Sequence, residues 1–221
     1  MARSHREHQT LFEGIVMAMV NIYNMDCMKA MATMETGKYD LSIVDPPYGI
    51  GDFASGKRNK DINNKKILSW NKFIPTKNYF EELKRVSKNQ IIWGCNYYPN
   101  LQGGRIIWYK HVKVPNFSKC EIAYCSMFQK VEYIDLIWQN VNRYEHIIHP
   151  CQKPSSLYKI LLDKFSQKGW KILDTHLGSG SSAIAAHDMG YDFVGYELDN
   201  EYFLAAQKRL TEHQKQLKLF A

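Results

Sequence analysis

No two cysteines in this chain form a CxxC pair, and the five present, Cys27, Cys95, Cys120, Cys125 and Cys151, make an odd set. That excludes an obvious disulfide framework and points to free thiols in a reducing compartment. Cys120 and Cys125 have no close histidine to complete a metal cluster, so no metal is expected. Long apolar runs are also missing. Ile15-Val16-Met17-Ala18-Met19-Val20 is too short to span a bilayer and lacks the flanks of a processed signal. Internal repeats and low-complexity tracts are absent. The expectation is a soluble, cytoplasmic protein with no membrane partner. Its 221 residues suit a single domain, 1–221, large enough for a sheet covered on both faces. With 45% hydrophobic and 23% charged residues, nothing suggests disorder. The net charge of +7 permits a polyanionic partner without naming one.

What is present alternates between strand-like and helix-like stretches. Apolar, β-branched runs predict strands at Ile15–Tyr23, Tyr39–Val44, Gln90–Gly94, Trp170–Leu173 and Asp192–Tyr196. Helical spacing predicts helices from Asp26, where Met28, Met31 and Met34 read as packing residues, and over Pro75–Val86, Pro154–Phe165, Ser181–Met189 and Asn200–Leu219. Between Arg105 and Trp138 the strands crowd together, which suggests an antiparallel edge to an otherwise parallel sheet. Residues 50–74 break the rhythm. They are rich in Gly, Asn and Lys, and carry Lys57, Arg58, Lys60, Lys65 and Lys66 in what reads as a basic loop.

Two places concentrate chemistry. Asp174-Thr175-His176-Leu177-Gly178-Ser179-Gly180 follows a buried strand and precedes a helix, with Gly178 and Gly180 freeing space for a close ligand. Glu197 ends the next strand, 23 residues beyond Asp174, where an acid in a Rossmann-like unit reaches ribose hydroxyls. No Gly-Lys-Ser/Thr follows, and the third glycine of the dinucleotide fingerprint is missing. A nucleoside cofactor without pyrophosphate, such as S-adenosyl-L-methionine, fits better; a plain tight turn is the alternative. The second place is Asp45-Pro46-Pro47-Tyr48, a carboxylate, two rigid prolines and an aromatic ring at the end of the strand Tyr39–Val44. Its alternative is a structural strand-ending turn with a surface tyrosine.

The ordered set resembles the permuted β-class DNA adenine-N6 methyltransferases carried by bacteriophages, prophages and restriction–modification systems. The resemblance runs from about Val20 to Arg209. Asp45-Pro46-Pro47-Tyr48 matches the catalytic motif and precedes the cofactor loop, as in that class. His149-Pro150-Cys151-Gln152-Lys153-Pro154 matches the family's His-Pro-x-x-Lys-Pro element, and the helix from Ser155 looks like the one contacting the methionine part of the cofactor. The glycine motif carries His176 where phenylalanine is more usual. Asp26, with Cys27 beside it, matches a position near the cofactor adenine, and Glu197, with Leu198, the ribose-binding position. Asn96-Tyr97-Tyr98 is a further family-like element. The resemblance implies an α/β three-layer sandwich with a Rossmann-like, mostly parallel, seven-stranded sheet, circularly permuted, with an antiparallel edge strand. The strands from Lys171 and Tyr39 are then expected side by side.

It also implies transfer of a methyl group from S-adenosyl-L-methionine to the N6 amine of a flipped-out adenine in double-stranded DNA. Such an amine is a poor nucleophile because its lone pair is delocalised into the ring. Asp45 and the Pro46 carbonyl would accept its N–H bonds and aim it, and Tyr48 would stack on the base. Whether Asp45 takes the proton or only orients the amine stays open. Lys153 reads equally as a contact to the cofactor carboxylate or as an exposed side chain, and His149 as a structural residue or a proton carrier. The basic loop of 50–74 and the strands and turns of 105–148 are the expected small DNA-recognition regions; Arg143 and His146 read equally as DNA contacts or as part of a solvated loop. Pairing into a homodimer is suggested by the resemblance alone. The alternatives are a cytosine-N4 or RNA-base enzyme and an inactive DNA-binding accessory protein.

Overall fold

The computed structural model describes residues 18–51, 71–113, 117–138, 145 and 147–216. Its strands are β1 (Val20–Asn24), β2 (Tyr39–Val44), β3 (Ser87–Trp93), β4 (Gly104–Tyr109), β5 (Cys120–Cys125), β6 (Val131–Asp135), β7 (Lys171–Asp174) and β8 (Asp192–Glu197). They form one eight-stranded sheet in the order β1-β8-β7-β2-β3-β5-β4-β6. β1, β8, β7, β2 and β3 run parallel to one another. β5 runs antiparallel to both β3 and β4, and β6 lies parallel to β4. The count exceeds the expected seven because β4 keeps a free edge beyond β5, and Val131–Asp135 pairs along it.

The helices, among the described residues, are α1 (Cys27–Met31), α2 (Lys77–Val86), α3 (Ser155–Phe165), α4 (Ser181–Met189) and α5 (Asn200–Lys215). They sort to the two sheet faces by the alternation of the strands. Ile91 and Trp93 of β3, with Leu41, Ile43, Ile172 and Phe193, meet Leu157, Leu161, Ala183, Ala185 and Leu210 of α3, α4 and α5. Ile92, with Val44 and Leu173, meets Met31 of α1 and Leu83 and Val86 of α2. Central strands covered on both sides must be apolar at almost every position, which is why β2 reads as a near-continuous buried run. Each fully buried Leu, Ile or Phe here contributes about 1.5–3 kcal/mol. The methionines at 31 and 34 are core residues, as their helical spacing suggested. No described helix is long and apolar enough to cross a membrane.

The parallel arrangement fixes where the chemistry lies. β1, β2, β3, β7 and β8 all end at the same edge of the sheet, so the segments that follow them are neighbours. β2 pairs directly with β7, Leu41 opposite Ile172 and Ser42 opposite Leu173, although the two strands lie far apart in sequence. That adjacency was the expectation, and it sets Asp45 and the glycine loop side by side.

Candidate active site

The chain leaves β2 through Asp45-Pro46-Pro47-Tyr48. Neither proline can continue the ladder, so the backbone turns away and Asp45 stays at the sheet edge. Its side chain is 17% exposed, and each oxygen has one partner. The Tyr48 hydroxyl donates to Oδ1 at 2.5 Å, and the Lys153 ammonium donates to Oδ2. The loop is moored from three sides. Asn71, itself buried, accepts from the Tyr48 backbone N–H at 2.8 Å. The Tyr98 hydroxyl donates to the carbonyls of Pro46 (2.7 Å) and Pro47 (3.1 Å). The Tyr48 ring stacks on Tyr97, with centroids 5.0 Å apart and planes 14° from parallel. Gly94, in left-handed backbone at φ 71°, lets that ring lie against the main chain; a Cβ there would stand 2.2 Å from Tyr48 Cε1.

Lys153 sits at the centre of a buried charge row. Its side chain is 4% exposed, and Nζ lies 3.2 Å from the Tyr48 hydroxyl and 3.0 Å from Glu121 Oε2. Glu121 Oε1 accepts from Lys110 Nζ at 2.8 Å. Burial pushes the Asp45 carboxyl above its usual range, with Lys153 pulling it down and Glu121 pushing it further up. Burial disfavours the charge on Glu121 as well, yet the Lys153 and Lys110 ammoniums outweigh it and hold that carboxyl at about 2. Burial likewise disfavours the Lys153 ammonium, and Asp45 and Glu121 more than offset it, raising its pKa. Of the two readings of Lys153, exposure is therefore wrong. In this structure it faces Asp45.

The glycine loop after β7 is built around Asp174. One oxygen accepts from the Ser182 hydroxyl at 2.6 Å, and the other from the His176 backbone N–H at 3.0 Å. Burial raises this carboxyl to about 7 despite both bonds. Asp174 thus braces the turn from inside. His176 packs edge-on against Tyr79, whose hydroxyl lies 2.7 Å from Thr175 Oγ1. His149 lies beside Gly178 and packs against Tyr202 at 4.5 Å. Burial lowers both histidines to about 4, so both are neutral at pH 7. Gly180 ends the loop at φ 75° and leads into α4. Arg209 of α5 clamps this loop, donating to the Ser179 carbonyl (2.8 Å) and the Ser181 hydroxyl (3.0 Å). Its other arm reaches Glu145 at 2.5 Å, and Glu145 in turn accepts from the Ser155 N–H and hydroxyl at the start of α3.

Glu197 stands at the end of β8 with Oε2 accepting from Gly178 N–H (2.8 Å) and Oε1 from Asp199 N–H (2.9 Å). A carboxylate offers about four acceptor positions, so it retains capacity for ribose hydroxyls. Asp26 caps α1 by accepting from Met28 N–H at 2.8 Å, with Cys27 as the first helical residue. Burial, with Asp26 adding to it, pushes the Cys27 thiol up to about 12, so it is neutral. Met25 N–H donates to the Glu197 carbonyl at 3.0 Å, and the exposed side chains of Met25 and Leu198 offer apolar surface next to these two acids. Acids for hydroxyls, apolar surface for a purine face, neutral histidines and a Gly-lined loop fit S-adenosyl-L-methionine, which carries a sulfonium cation. Among the described residues no group of His, Cys, Asp and Glu is arranged to hold a metal.

Lys57, Arg58, Lys60, Lys65, Lys66, Arg143 and His146 lie outside the described residues. Asn71, Lys110, Glu121, Glu145 and Arg209 were not singled out as site residues from the sequence. Each acts through a partner distant in the chain, and no local spacing marks them.

The DNA methylase family (N6_N4_Mtase) matches residues 96–208, just over half of the chain. YubD of Escherichia coli (strain K12) is 25% identical over 215 residues, covering 87% of this chain and 91% of its own. The type II methyltransferase M.HinfI of Haemophilus influenzae is 25% identical over 243 residues, with 85% and 67% covered. Among solved structures, the M1.HpyAVI–SAM complex superposes with a TM-score of 0.59 at 20% identity, over 87% of this chain and 99% of that one. PvuII DNA methyltransferase, cytosine-N4-specific, gives 0.56 at 10% identity, over 92% and 89%; both likenesses are of fold. With a glycine loop and an Asp-Pro-Pro-Tyr loop on neighbouring strands, the chain belongs to the N6/N4 DNA methylase family, S-adenosyl-L-methionine-dependent enzymes that methylate an exocyclic amine of a DNA base.

Proposed function

We propose that the protein methylates the N6 amine of an adenine extruded from double-stranded DNA, with Asp45-Pro46-Pro47-Tyr48 as its catalytic loop. The observation that carries this is the pairing of β2 with β7, which sets that loop beside the glycine loop at one sheet edge. When bound, the cofactor supplies an electrophilic methyl group on sulfur. Glu197 and Asp26 would hold its ribose and adenine ends, and Gly178, Ser179, Gly180 and His149 would border it.

The chain's own residues aim the amine. Tyr48 and Lys153 take two of Asp45's acceptor positions, which leaves room for one amine N–H. The Pro46 carbonyl, held by Tyr98, keeps a second lone pair for the other N–H. Two accepted hydrogen bonds draw electron density towards nitrogen as its lone pair leaves the ring. In the transfer the amine nitrogen would bond to the methyl carbon as that carbon leaves sulfur, and the extra amine proton would pass to solvent. An aspartate at position 45 favours adenine over cytosine, since cytosine-N4 enzymes of this type usually carry serine there. The order of the loops, catalytic before cofactor-binding, supports the β-class assignment.

The basic residues Lys57, Arg58, Lys60, Lys65, Lys66 and Arg143 supply the phosphate contacts in this reading, supported by the net charge of +7. A direct test offers duplexes containing only A·T or only G·C pairs as methyl acceptors. Incorporation of label into the A·T duplex is expected; incorporation into the G·C duplex alone would assign the enzyme to cytosine N4.

A further inference from the structure

The charge row behind Asp45 calls for a reason. Two acids and two lysines alternate through this region, in the order Asp45, Lys153, Glu121 and Lys110, each in contact with the next. Lys153 is further enclosed by the Trp93 ring, 5.4 Å from its centroid, and the Tyr48 ring, 5.7 Å away. A buried ion row of this kind is seldom the most stable filling of such a space; apolar side chains of like volume are often as good or better. The Lys153 ammonium also serves two acids at once, with Glu121 Oε2 3.0 Å from Nζ on one side and Asp45 Oδ2 on the other. A buried ammonium divided between Asp45 and a second acid points to a role for that acid in tuning the Asp45 carboxyl.

We propose that Glu121, seated by Lys110, is a positioning residue for methyl transfer: by sharing the Lys153 ammonium with Asp45, it sets how much negative charge Asp45 keeps for the amine. This rests on the reading of Asp45 given above. An ammonium belonging to Asp45 alone would neutralise the acceptor and oppose the positive charge developing on the attacking nitrogen. Glu121 takes part of that field away while Lys153 still holds Asp45 in place. Lys110 keeps Glu121 ionised and fixed, and Glu121 is placed by its register in β5 opposite Trp108.

The other groups facing Asp45 leave this balance to Lys153 and Glu121. Tyr48 from its own loop, Tyr79 from α2, Tyr98 after β3 and Tyr158 from α3 are all pushed up by burial and stay neutral, as does the Cys151 thiol. Asp174 of β7 is the remaining acid, and burial keeps it partly protonated near neutrality.

The test uses Glu121→Gln and Lys110→Gln in the full chain, with kcat, KM, cofactor affinity and the pH profile of kcat/KM. Neither residue touches Asp45, and the two substitutions change the local charge in opposite directions. Glu121→Gln should lower kcat about tenfold, the scale of coupling inside one ion network, with cofactor affinity kept. It should also move the acid limb of kcat/KM to lower pH, because Lys153 then falls wholly to Asp45. Lys110→Gln should move that limb to higher pH. A limb midpoint does not depend on the fraction of folded enzyme, so partial unfolding of one variant leaves the comparison intact. Acid limbs that stay at the wild-type pH in both variants, or that move the same way, would overturn the proposal. If wild type methylates adenine and Asp45→Ala does not, such a result removes only the role of Glu121. If wild type leaves adenine unmethylated, the reading of Asp45 itself is wrong.

Discussion

Asp45 and Asp174 are both buried acids at the same sheet edge, but they do different work. Asp45 keeps an acceptor free beside a charged lysine, whereas Asp174 turns both oxygens into its own loop. Asp45→Ala should therefore lose about a hundredfold or more in transfer, the cost of removing one positioned polar group in a transition state, roughly 3 kcal/mol. Cofactor affinity should survive, and calorimetric titration showing it lost as completely as turnover would contradict the division of labour. Asp174 affects stability instead. Burial raises its folded pKa to about 7, above an unfolded value of about 3.9, so the folded state holds the proton more tightly. Its stabilising contribution is full below about pH 4 and is lost as pH rises through about 7. Asp174→Asn removes this dependence. Denaturation midpoints from pH 4 to 8 should show the wild type losing ground to the variant as pH rises; parallel curves would show that Asp174 is ionised in the fold.

At the scale of elements, the site depends on the connections that leave parallel strands at one edge. Strand and helix positions were largely legible, because buried strands need apolar runs and capped helices need periodic ones. β2, β3, β7 and β8 were marked by Ile, Leu, Val and aromatic residues, and α4 by the span from Ser181 to Met189. The adjacency of β2 and β7 followed from requiring the two chemical loops to meet. What was not legible is what joins these elements side chain to side chain. Asp45 and Lys153 are 108 residues apart, and Glu145 ties α3 to α5 across 64. Such pairs have no period to read. The seating of Tyr48 on Gly94 was hidden for the same reason. Gly94→Ala places a side chain in left-handed backbone, a cost of roughly 1–2 kcal/mol, and drives its Cβ into the Tyr48 ring. Transfer should fall sharply while cofactor binding at β7 and β8 persists. A Gly94→Ala enzyme with wild-type turnover would show that the ring need not sit there.

For the whole molecule, the net charge of +7 and the concentration of lysines in 57–66 bear on the DNA partner. Each phosphate neutralised releases condensed counterions, so affinity falls with salt in proportion to the number of contacts. Replacing Lys57, Arg58, Lys60, Lys65 and Lys66 by serine should weaken DNA binding and flatten its salt dependence, with cofactor binding unchanged. Filter binding across a salt series with an unaltered slope would place the phosphate contacts elsewhere. The central claim, that this sheet edge methylates adenine, is tested most directly by incubating the protein with labelled S-adenosyl-L-methionine and unmethylated genomic DNA, then digesting to nucleosides. Label in N6-methyladenine is the expected result. Label in N4-methylcytosine instead, or methylation of RNA alone, would contradict it.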